Sequence, residues 1–83
     1  MDWPTLDHAR SAANAFHRDF GREPWLVGVG IGLDDDGRNI VRVYVVKKGD
    51  LIHLPTHVEG EDPKRGKVMV KVIGKATGRA RAF

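Results

Sequence analysis

The sequence predicts an α+β domain in which one N-terminal helix packs on a three-stranded, mostly antiparallel sheet. Three observations carry this reading. Apolar residues recur at helical spacing before residue 21, two β-branched runs flank a glycine turn between residues 25 and 46, and Val alternates with Lys or Met from 67 to 73.

From Thr5 to Phe20 the residues Leu6, Ala9, Ala13, Phe16 and Phe20 stand three and four apart, which places them on one helical stripe. Asp2 or Thr5 supplies an N-cap, Pro4 suits the first turn, and Gly21 with Pro24 closes the end. In Trp25–Leu33 glycines alternate with branched residues in a period of two, as a strand requires. A second strand follows at Ile40–Val46, and a third at Lys67–Ile73. Between the first two, Asp34-Asp35-Asp36-Gly37-Arg38-Asn39 offers Gly37 for positive φ, so the strands form an antiparallel hairpin.

Register follows from burial. A two-residue turn would set Leu33 opposite Ile40 and divide the valines between faces, whereas a three-residue loop with Gly37 in αL sets Ile31 opposite Val41 and Val29 opposite Val43. The second choice gathers a core of Val27, Val29, Ile31, Val41, Val43, Val45, Val68, Val70 and Val72 against the helix. The other face then carries Gly28, Gly30, Gly32, Arg42, Tyr44, Lys67, Met69 and Lys71. Because the first strand has no charge while the others carry lysine or arginine, as edges often do, the expected order is 2-1-3 with the first strand central and tightly covered. Residues 47–66 are expected to lid the core through Leu51, Ile52, Leu54 and Val58, with an exposed turn from Glu59 to Gly66.

Eighty-three residues allow one domain, read as 1–83 with a basic C-terminal tail from about 74 to 83. Hydrophobic content of 41% and charged content of 30% match a folding globular chain. The chain has no cysteine, which excludes disulfides and thiolate zinc sites. It has no apolar run of the ~20 residues that span a bilayer and no signal-peptide pattern at Met1-Asp2-Trp3-Pro4, so no membrane partner and a cytoplasmic location are expected. Charge is uneven: residues through Pro63 hold seven Lys/Arg and eleven Asp/Glu, a balance of −4, and the remainder holds seven Lys/Arg and no acid. Such a basic end is either solubilising or a nucleic-acid footprint.

Gly28-Val29-Gly30-Ile31-Gly32 lacks the spacing of a dinucleotide loop and does not open into a helix, so its glycines signal close approach by a backbone, a side chain or another subunit. Asp34, Asp35 and Asp36 lack the EF-hand pattern and read as turn formers. His53 and His57 are separated by Pro55 and complete no metal set; these two, His8 and His17 read as surface histidines. Ser11 has no elbow or oxyanion hole, and Glu23, Glu59 and Glu61 sit in expected loops without an apolar pocket to shift them. No catalytic residue, metal or cofactor is assigned.

The run Val27-Gly28-Val29-Gly30-Ile31-Gly32, then Gly37, then Val41-Arg42-Val43-Tyr44-Val45, then Leu54-Pro55-Thr56-His57-Val58-Glu59-Gly60 resembles a small module of short bacterial proteins of unknown function, also found ahead of the protease domain in some trypsin-like serine peptidase homologues. In such relatives the last strand follows at once, whereas here Glu61–Gly66 intervenes. The resemblance implies an accessory module and carries over no catalytic residue. The expected function is therefore a non-enzymatic interaction module that binds a protein partner or a second copy through an exposed sheet face or edge. Two alternatives are a nucleic-acid binder using Arg42, Tyr44, Lys67, Lys71, Lys75, Arg79 and Arg81, and a propeptide-like or inhibitory partner of a peptidase.

Overall fold

A computed structural model describes residues 3–78. The helix α1 spans Leu6–Phe20, followed by strands β1 (Leu26–Leu33), β2 (Asn39–Val45), β3 (His57–Asp62) and β4 (Gly66–Ala76). A 3-10 turn at Lys48–His53 links β2 to β3. The α+β class and the single N-terminal helix are as the sequence predicts, but the sheet has four strands in the order β1-β2-β4-β3, not three in the order 2-1-3. It is mixed: β1 with β2 and β3 with β4 pair antiparallel, while β2 and β4 run parallel.

Thr5 caps α1. Its hydroxyl accepts the His8 N–H at 3.2 Å, and its own N–H donates to His8 Nδ1 at 2.9 Å, so a histidine takes the place of the usual Glu in a capping box. Ala9, Ala12, Ala13 and Phe16 form the buried stripe, with Phe20 half-buried beside it. Leu6, expected in that stripe, is exposed, because α1 leans over β3 and turns Ala12 inward instead.

The first hairpin has the bulged loop that burial favours. Gly37 takes φ 81°, its N–H donates to the Asp34 carbonyl, and Ile31 faces Val41 while Val29 faces Val43. Val41, Val43, Val45, Val70 and Val72 are buried with the helix stripe, and Val29, Val68, Leu51, Leu54 and Val58 pack partly against them. Val27 and Ile31 are a correction to the expected core: both are more than a third exposed, at 36% and 37%. Val27 sits at a bulge between Leu26 and Gly28, and β1 lies at the edge farthest from β3, over which α1 runs.

The expected exposed turn at Glu59–Gly66 is also corrected. Residues His57–Asp62 are β3, paired along the first half of β4, and only Asp62–Gly66 turns. β3 alternates like any strand, but its inward positions are Val58, Gly60 and Asp62, and the last two give no hydrophobic signal. Of the expected lid, Leu51 and Leu54 reach the core and close on Gly74, while Ile52 is 85% exposed. β4 runs three residues past the expected Ile73 because its second half, Val72–Ala76, pairs with β2.

Candidate functional site

Paired residues of neighbouring strands share a side of the sheet, so the register assigns every residue to a face. On the face away from α1, β1 presents Gly28, Gly30 and Gly32, β2 presents Arg42, Tyr44 and a buried Ile40, and β4 presents Lys67, Met69, Lys71, Ile73 and Lys75. β3 adds His57, Glu59 and Glu61 to it. The eight residues that the sequence groups on one face therefore do share it. Arg79 and Arg81 lie outside the described residues.

On this face Arg42 lies across β1. A Cβ at Gly32 would collide with the Arg42 side chain, and Arg42 Nη2 donates to the Leu33 carbonyl at 3.2 Å. The missing side chain of Gly32 is the space the guanidinium uses. Gly30 differs, since a Cβ there would meet nothing within 4 Å. Arg42, Lys71 and Ile73 line a shallow depression of about 330 Å³ with Leu33 and the acidic Asp34, Asp35 and Asp36. Lys75 stands beside Tyr44 through strand pairing. Lys67 lies 3.8 Å from Glu59 and 3.5 Å from Glu61, exposed pairs that screen it without adding much stability.

The edges carry the second feature. The Asp34 N–H donates to the Arg38 carbonyl at 3.0 Å, which fixes the alternation of the β1–β2 ladder. Counting back from it, Gly32, Gly30 and Gly28 turn their N–H and C=O toward β2, and Leu33, Ile31 and Val29 turn theirs outward. No strand among the described residues pairs with that outer side. The expectation of a central, tightly covered first strand is thus overturned: the uncharged strand is the edge. The charges of β2 and β4 mark the open face and not the edge, because both strands are central.

A polar cluster joins the start of α1 to the β3–β4 turn. Thr5 Oγ1 donates to Asp62 Oδ2 at 2.6 Å, while Asp62 Oδ1 accepts the N–H groups of Lys64 at 2.8 Å and Arg65 at 3.2 Å. His8 Nε2 lies 2.9 Å from the Gly66 carbonyl, so it donates there and Nδ1 accepts from Thr5. The Thr5 hydroxyl bond, then the Lys64 N–H, hold the Asp62 carboxyl below its ordinary value, against the opposing effect of its burial. Hydroxyl, imidazole and carboxylate meet here, with Thr5 Oγ1 3.1 Å from His8 Nδ1, yet the hydroxyl donates to the carboxylate and Nδ1 already accepts the Thr5 backbone N–H. Nucleophilic chemistry needs the imidazole to take the hydroxyl proton. The cluster is a helix cap. His8, read from sequence as a surface histidine, is fully buried in it.

Ser11 Oγ accepts the Glu61 N–H at 3.0 Å. His53 stacks on Trp25 with ring centroids 5.2 Å apart. Among the described residues no three His, Asp or Glu side chains converge as metal ligands, and no helix is long and apolar enough to cross a membrane. No protein-family model, no curated protein and no solved structure matches the chain. The resemblance to a peptidase-associated module therefore stands on its quoted residues alone.

Proposed function

We propose that this domain is a non-enzymatic protein-interaction module that receives an extended strand on the outer edge of β1. The observation that supports this is the set of outward N–H and C=O groups at Val29, Ile31 and Leu33, on a strand with no charged residue from Leu26 to Leu33. Main-chain hydrogen bonds to such an edge give affinity, and pockets for alternate side chains give specificity. Gly28 and Gly30 leave the adjoining open face low, so an added strand meets no side chain from them.

The test is selection of displayed extended peptides on the wild type, with counter-selection on Ile31→Pro. Proline deletes an outward N–H and leaves the β1–β2 ladder intact. Peptides that bind the wild type and lose the variant are expected, and peptides that keep the variant would place recognition elsewhere.

One observation favours a second reading, in which the open face binds nucleic acid: Arg42, Lys71 and Lys75 share it with Tyr44. Asp34, Asp35 and Asp36 border Arg42 and Lys71, Glu59 and Glu61 pair with Lys67 on the same face, and all oppose a phosphate backbone. Submicromolar, salt-sensitive oligonucleotide binding at ~150 mM salt would reverse this ranking. The reading as a propeptide-like or inhibitory partner of a peptidase is supported by the sequence resemblance only.

A further inference from the structure

We propose that the strand received at β1 is β1 of a second copy of this chain, paired antiparallel about a two-fold axis through Ile31. This rests on the strand-addition reading. In this register Ile31 faces its own counterpart and Val29 faces Leu33 of the second copy, so every residue with outward hydrogen-bonding groups meets another of the same kind. An isologous two-fold contact requires such self-complementarity.

The side chains agree with the backbone. Ile31 is 37% exposed and Leu33 is 56% exposed, both on the side of the sheet that holds the core. Pairing places Ile31 against Ile31 and Leu33 against Val29, which removes apolar surface from water along the seam. On the opposite side Gly30 of one copy lies next to Gly32 of the other, leaving room for Arg42 to keep its place. The Leu33 carbonyl has two lone pairs and accepts both Arg42 and an incoming N–H.

Charge sets the direction. The hairpin end of β1 carries Asp34, Asp35 and Asp36 against Arg42 and Arg38, whose guanidinium lies 4.7 Å from the Trp3 ring. The other end carries Arg22, Lys47 and Lys48 against Glu23 and a buried Asp50 that accepts the Lys47 N–H. One end is acidic on balance and the other basic, so antiparallel pairing joins opposites and parallel pairing joins likes. A flexible peptide must also be ordered to bind, whereas β1 of a second copy already is. After pairing, the remaining outer strand of each copy is β3, whose Glu61 N–H is already taken by Ser11 and whose exposed Glu59 and Glu61 guard the edge, so the assembly closes at two.

Light scattering from about 5 to about 500 µM tests this. The mass is expected to rise from 9.2 kDa toward twice that value. Ile31→Lys and, as a second variant at a more exposed position, Leu33→Lys are each expected to raise the dimer Kd at least about tenfold. A wild type that stays monomeric throughout, or a dimer unchanged in both variants, overturns the proposal. A monomer that still binds the selected peptides at β1 removes the second copy and leaves strand addition standing; a monomer that binds none removes both.

Discussion

β3 and β1 are the outer strands of one sheet, and they end it by opposite means. β3 lies under α1: its Glu61 N–H is taken by Ser11, its Gly60 touches the His8 backbone, and its last residue, Asp62, accepts the hydroxyl of the helix cap Thr5. β1 has no such cover among the described residues, and of its outward groups only the Leu33 carbonyl has a partner, the Arg42 guanidinium. Glycine serves both strands in different ways. At Gly60 the absent side chain lets two backbones meet, and at Gly30 it leaves open space. A strand tied to a helix and edged with charge is structural, and an uncharged strand left open is available for binding.

The largest expected break of this contrast is Gly60→Ala. Its Cβ would collide with the His8 carbonyl, which is backbone and cannot swing aside, so a loss of about 3 kcal/mol in urea unfolding is expected. His8→Ala comes next, at about 2 to 3 kcal/mol, because it orphans the Thr5 N–H and the Gly66 carbonyl and leaves a void. Ser11→Ala removes the partner of one partly solvated N–H and is expected to lose about 1 kcal/mol or less.

Asp62 adds a pH signature to the strand tied to the helix. Its carboxyl is lowered in the folded state, so the stability it contributes is fully present above the unfolded value of about 3.9 and is lost as pH falls through the lower folded value. Asp62→Asn should therefore be less stable at neutral pH and show a flatter acid branch in melts against pH. Gly30→Ala is the smallest expected effect: unchanged stability, or a gain of up to about 0.5 kcal/mol, because nothing is displaced and a strand glycine is replaced.

What the sequence reveals divides along the same line. The helix, the bulged hairpin and the shared face of Gly28, Arg42, Tyr44 and Met69 are legible because period and turn chemistry are local. β3 is not legible, since two of its inward positions are a glycine set by helix contact and an aspartate set by capping, and neither looks like core. Strand order fails for a related reason. Lysine on a strand suggests edge protection, whereas Lys71 and Lys75 sit on a central strand and share its face away from α1. The burial of His8 is hidden as well, because a capping box ordinarily ends in Glu and nothing local announces that this ring reaches Gly66.

Amide hydrogen exchange on dilute, monomeric protein tests the contrast most directly, since it reads each edge residue by itself. The amides of Val29, Ile31 and Leu33 are expected to exchange quickly, those of Gly30 and Gly32 slowly, and that of Glu61 slowly as well. Protection of Val29 and Ile31 equal to that of Gly30 in the monomer would mean that β1 is paired on both sides, and would contradict the open edge.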